Sequence, residues 1–196
     1  MIVTNEIVKA LLGNYSNKDT KLGREVKDGK LIKIKNGLYE TEKDVPGYYL
    51  AGSIYGPSYL SFDFALSYYG LIPERVTAFT SATYDKKKKK EFRNDFGLFT
   101  YRDVPSSGYF YGIMVVMENK YSFQIAIPEK ALCDKLYTLS PVNNLGDLAN
   151  LLFNDLRINV EEFDKLDVDV IKDINNLYHC RNVELLYKYM RRRKYE

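Results

Sequence analysis

The chain has 196 residues, 45 % apolar and 14 % aromatic, which is enough to fill a core without disulfide or metal staples. Its longest uninterrupted apolar run is residues 113–117, far short of the roughly 18 residues that cross a bilayer, so a membrane-spanning helix is excluded. Residues 1–6 lack the basic-then-apolar pattern of a secretory signal, so a cytoplasmic location is expected, with Cys133 and Cys180 as reduced thiols. With His179 as the single histidine, neither a structural zinc site nor a serine or cysteine triad can be assembled, and no Gly-x-Ser-x-Gly elbow supplies a nucleophile. No catalytic residue, metal or cofactor is therefore expected, and His179 reads as an ordinary helix residue.

Net charge is +3, from 29 basic and 26 acidic side chains, so a nucleic-acid signal has to come from how charge is distributed. Residues 1–40 hold eight basic groups (Lys9, Lys18, Lys21, Arg24, Lys27, Lys30, Lys33, Lys35) against five acidic ones (Glu6, Asp19, Glu25, Asp28, Glu40). The lysine run 86–90 and Arg191-Arg192-Arg193-Lys194 are further basic clusters. The sign reverses over residues 141–187, with nine acidic residues to four basic, which argues against a phosphate-facing surface there.

In chain order, Thr4 is an N-cap for a short helix whose Ile7, Val8, Leu11 and Leu12 fall at helical spacing, and Gly13 closes it. Ser16 opens a second helix over residues 17–27, with Leu22 and Val26 as a narrow apolar stripe and Asp28-Gly29 as its end. Gly23 costs that helix about 1 kcal/mol relative to Ala, so packing must hold it. Residues 31–35 and 38–40 flank Asn36-Gly37, the pair that favours a type I′ hairpin because both central residues need positive φ. Within the first arm Lys33 and Lys35 share one face and Ile32 and Ile34 the other. Helix, turn, basic helix and basic hairpin is the layout of a winged helix-turn-helix, whose second helix enters the major groove. The polar groups available for DNA are Ser16, Asn17, Lys18, Lys21, Arg24 and Lys27, with Lys33 and Lys35 on the wing. Arg24 and Asn17 suit paired hydrogen bonds to guanine and adenine edges, whereas Lys18 and Lys21 act as phosphate charges.

Residues 41–47 are polar and carry Pro46-Gly47, which marks a linker between an N-terminal unit, 1–45, and a body, 46–196. In the body, residues 58–69 read as a buried amphipathic helix stopped by Gly70. Four β-prone stretches follow at 75–80, 96–101, 109–117 and 121–127, the last two joined as a hairpin through residues 118–120. Pro128 opens a helix with Lys130 and Asp134 four apart on its surface. Helices are then expected over 145–156, over 161–175 behind Asn159 and Glu162 at capping-box spacing, and at the C-terminus. The fold class is α+β: an N-terminal winged helix-turn-helix followed by a mixed α/β body with a helical C-terminal region. Gly52-Ser53 followed by Asp63 matches the opening of a nucleotidyltransferase signature, but the second carboxylate position is Ala65. One carboxylate cannot build a two-metal clamp.

Residues 30–39 (Lys-Leu-Ile-Lys-Ile-Lys-Asn-Gly-Leu-Tyr), 55–74 (Tyr-Gly-Pro-Ser-Tyr-Leu-Ser-Phe-Asp-Phe-Ala-Leu-Ser-Tyr-Tyr-Gly-Leu-Ile-Pro-Glu), 80–83 (Thr-Ser-Ala-Thr) and 128–134 (Pro-Glu-Lys-Ala-Leu-Cys-Asp) together resemble the AbiEi-type antitoxins of abortive-infection, type IV toxin–antitoxin systems. The likeness covers about residues 1–140 and is carried by the order and spacing of these pieces. It implies a non-enzymatic antitoxin that binds double-stranded operator DNA at inverted repeats through its winged helix and represses its own operon. It also implies a body that neutralises a separately encoded nucleotidyltransferase-like toxin, with or without direct contact. Inverted repeats favour two copies on the DNA. The rival readings are a plain winged-helix regulator without a toxin, and a nucleotidyltransferase-like enzyme using Asp63.

Overall fold

The computed structural model describes residues 1–195. The N-terminal forty residues form β1 (Ile2–Thr4), α1 (Asn5–Leu11), α2 (Lys18–Lys27), β2 (Ile32–Lys35) and β3 (Leu38–Glu40), with the strands in the antiparallel order β1-β3-β2. Thr4 caps α1 as expected, accepting from the Ile7 N–H. Of the expected apolar stripe, however, only Val8 and Leu12 pack inward. Ile7 is 46 % exposed and Leu11 77 %, because this small unit offers α1 a single narrow strip of partners: Val3, Leu22, Leu31 and Tyr39. The hairpin turn is not type I′ either. Gly37 alone takes positive φ, +78°, and a bulge shifts the register between Lys33 and Lys35.

Residues 41–47 do not behave as a free linker. Val45 is buried in the body's core together with Ile34 and Leu38 of the hairpin. A Cβ at Gly47 would lie 2.2 Å from the Phe79 ring and 2.6 Å from the Phe96 carbonyl, so this backbone is pressed against the body at a place only glycine fits. The Asn94 amide donates to the Ile34 carbonyl at 2.9 Å, and Lys35 Nζ donates to the Ile54 carbonyl at 2.5 Å. The hairpin therefore shares its inner face with the body.

After α3 (Ala51–Ile54), the body contains β4 (Ser58–Leu60), α4 (Phe62–Tyr68), β5 (Ala78–Thr83), β6 (Lys90–Asn94), β7 (Gly97–Asp103), β8 (Ile113–Glu118) and β9 (Tyr121–Ala126). They build a six-stranded sheet in the order β6-β7-β5-β4-β9-β8, with β5–β7 and β4–β9 parallel. The helix expected over 58–69 is corrected: its first three residues are the inner strand β4, and the helix starts at Phe62. Strands flank β4 on both sides, placing Leu60 beside both Ser81 and Ile125, and that pairing overrides the local helical spacing. The stretch expected at 75–80 forms its strand later, at 78–83. β6 was not expected, because its Lys90, Glu91 and Arg93 carry the charges of a solvent-facing edge. The 118–120 turn joins β8 to β9 as expected.

Pro128 opens α5 (Pro128–Tyr137). Then come α6 (Leu145–Asn150), prolonged by a wide turn over Leu151–Asp155, α7 (Val160–Phe163), α8 (Val168–Tyr178) and α9 (Arg181–Tyr195). The single helix expected over 161–175 is two. Asn159 caps α7 through the Glu161 and Glu162 N–H groups, but α7 ends at Phe163 and Asp167 caps a new start. His179 is not inside a helix; it takes the left-handed conformation, φ +48°, that ends α8. Lys130 and Asp134 are not on the surface. Both are fully buried and paired at 3.2 Å, on a helix covered by β9, α4, α8 and α9.

Candidate nucleic-acid interface

α2 turns Leu22 and Val26 toward the small core and leaves Gly23, Arg24 and Lys27 exposed, with Lys18 half-buried at its start. The residue that caps it is Asn17, whose side-chain oxygen accepts from the Thr20 N–H at 3.0 Å; Ser16 stands exposed just before it. Asn17 thus has a backbone task that competes with reading an adenine. Lys21 is 2.7 Å from Glu25, which holds the ammonium above the usual lysine value, while Lys21 in return holds the Glu25 carboxyl below the usual range. Lys21 also lies 5.6 Å from the Tyr15 ring, Lys30 shares Glu25 at 3.4 Å, and Lys9 pairs with Asp19 at 2.6 Å. Among the described residues, Lys18, Arg24, Lys27 and Lys33 form no ion pair.

The wing is split. Lys33 is exposed, whereas Lys35 points to the body and meets the Ile54 carbonyl, so the two do not share a solvent face. The physical reason is the bulge at Ile34, which breaks the two-residue alternation and sets Lys35 opposite Leu38, on the face that packs against the body. Tyr55, next to Ile54, carries Lys86 of the lysine run 5.2 Å above its ring, which brings that run beside the hairpin.

The nucleotidyltransferase-like residues do not converge. Gly52 and Ser53 lie in α3 and line a shallow cleft of about 310 Å³ with Pro57, Val115 and Gln124, while Asp63 lies on α4, paired with Lys135 at 2.6 Å. Among the described residues no group of three or more His, Cys, Asp or Glu side chains could hold a metal ion. Nor is any described helix long and apolar enough to cross a membrane.

The polar cluster that sequence reasoning misplaced is the one around Asp134. Its carboxylate accepts from Tyr59 at 3.0 Å, from Ser61 at 2.6 Å and from the Tyr178 hydroxyl, while Lys130 Nζ donates to the Gly108 carbonyl at 2.8 Å and to the Tyr178 oxygen. Burial pushes the Lys130 ammonium down, with Asp134 opposing, and drives the Tyr59 and Tyr178 hydroxyls well above their ordinary values. The available signal was that Ala131, Leu132, Cys133 and Leu136 surround the pair on every side of the helix. Comparison with models of known protein families and with curated protein sequences gives no match.

Proposed function

We propose that residues 1–45 are a winged helix-turn-helix that binds double-stranded operator DNA, with α2 entering the major groove and the β2–β3 hairpin as the wing. The observation that carries this reading is the placement of α2: packed through Leu22 and Val26 onto a core it shares with a three-stranded sheet, with Arg24 and Lys27 directed to solvent and, among the described residues, in no ion pair. Arg24 reads base edges, and Lys18, Lys27 and Lys33 contact phosphates. Ser16, Asn17 and Lys21 belong to the same surface, the last two also serving as cap and ion-pair partner, whereas Lys35 tethers the hairpin to the body.

The biological role follows from the resemblance of residues 1–140 to AbiEi-type antitoxins. The chain represses its own operon and counteracts a nucleotidyltransferase-like toxin, without catalysis of its own. The test uses the full chain in two assays: repression of a reporter placed behind the upstream DNA of its own operon, and rescue of cells expressing the neighbouring toxin. Arg24→Ala combined with Lys33→Ala should abolish repression and leave rescue intact. Loss of neither overturns the DNA reading, and failure of the parent to rescue overturns the antitoxin reading.

A further inference from the structure

The body sheet has two edges, and they are built differently. β6 guards its edge with Lys90, Glu91 and Arg93 and is partly covered by the wing through the bond from Asn94 to Ile34. β8, Ile-Met-Val-Val-Met-Glu, has no lysine, proline or bulge, and its single charge is at its end. Val115 is 64 % exposed, Met117 84 % and, just before the strand, Phe110 75 %. A six-residue bare apolar edge is a template for another strand unless something covers it.

The backbone decides which strand fits. The Ile127 N–H bonds to the Gly112 carbonyl at 2.9 Å, so on this strand the even-numbered residues face β9. Ile113, Val115 and Met117 therefore direct their N–H and C=O groups out of the sheet. An antiparallel copy of β8 centred on Val115 pairs these three with each other: Val115 against Val115, and Ile113 against Met117 in both directions. Hydrogen-bonding parity and apolar side chains agree in that one register. It keeps the two Glu118 carboxylates at opposite ends, about 20 Å apart and beyond the screening length. Complete cover of Phe110, Met114, Val115 and Met117 in both copies, with the strand backbone, would set a ceiling on the order of 1,000 Å² removed from water, the threshold for a specific dimer.

We infer that the chain forms a two-fold dimer through antiparallel pairing of β8 with β8 of a second copy, joining two six-stranded sheets into one of twelve. The dimer forms without DNA and is independent of the winged-helix reading. Sedimentation equilibrium of the full chain, free of DNA and over a wide concentration range, is the test. The parent should move from monomer to dimer as concentration rises. Val115→Lys should weaken that association by about tenfold or more, with an unchanged circular dichroism spectrum because the side chain is already exposed. As a register check under mild oxidation, Val115→Cys should cross-link to itself, while Met117→Cys, about 13 Å from its own copy, and the parent should not. A parent that stays monomeric throughout, a dimer indifferent to Val115→Lys, or Met117→Cys linking as readily as Val115→Cys overturns the proposal.

Discussion

Lys130 and Asp134 stand one turn apart on α5, their charged groups 3.2 Å from each other and neither accessible to solvent. Around them Tyr59 and Ser61 from the β4 region and Tyr178 from α8 complete the hydrogen bonding, so one polar knot ties three parts of the body together. Breaking a buried pair by removing one member leaves an uncompensated charge. Asp134→Ala should therefore cost about 3–5 kcal/mol in urea unfolding. Lys130→Met should cost less, because three hydroxyls still donate to the remaining carboxylate. Equal losses, or a loss under 1 kcal/mol for Asp134→Ala, would show that the knot contributes little.

Alkali should expose the buried tyrosines in a second step. Burial raises the Tyr69 and Tyr109 hydroxyls to about 12, and holds Tyr59, Tyr101 and Tyr178 well above the ordinary value. A tyrosine raised in the folded state contributes stability that is complete below its unfolded value near 10 and is lost as pH climbs through its folded value. Stability should thus fall steadily above pH 10. Absorbance at the tyrosinate band should rise first for exposed rings and then cooperatively with unfolding. A single smooth titration of all 18 tyrosines near pH 10, in a chain still folded by circular dichroism, would contradict this.

The two hairpin lysines should separate. Lys33→Ala should weaken binding to operator and random duplex alike and reduce the slope of log affinity against log salt by about one. Lys35→Ala removes the bond to Ile54, so its main effect should be a stability loss of about 1 kcal/mol, with the salt slope nearly unchanged. Arg24→Ala should cost about 1–3 kcal/mol on the operator and much less on random duplex. Salt titrations of the three variants on both duplexes, beside urea melts, check all of these.

Gly23 is a helix glycine with nothing within 4 Å of where a Cβ would be, and α2 is held as expected by packing, through Leu22 and Val26. Gly23→Ala should raise the stability of the chain by roughly 0.5–1 kcal/mol by reducing unfolded-state freedom. If the exposed face of α2 lies against DNA, the added methyl next to Arg24 should at the same time lower operator affinity. Stabilisation with undiminished operator affinity would move the contact surface off this face of α2.

What the sequence determined by itself lies within a few residues of its signal. The Thr4 cap, Gly37 in the hairpin turn, Pro128 at the first position of α5 and the tight β8–β9 connection are all settled by backbone preferences that act over four or five residues. The basic character of α2 was legible in the same way, since Leu22 and Val26 fix which side chains remain outside. Only the tertiary structure decided that residues 58–60 form an inner strand, that Lys35 serves the body and not the solvent, and that Lys130 and Asp134 are interior. In each case the deciding partner lies far along the chain: Ile125 for Leu60, Ile54 for Lys35, Tyr178 for Asp134. A strand between two strands, a lysine beside a bulge and an ion pair four residues apart look locally like a helix, a solvent face and a surface pair. Burial and hydrogen-bond satisfaction are properties of the assembled core, and they override local periodicity wherever distant segments supply the missing partners.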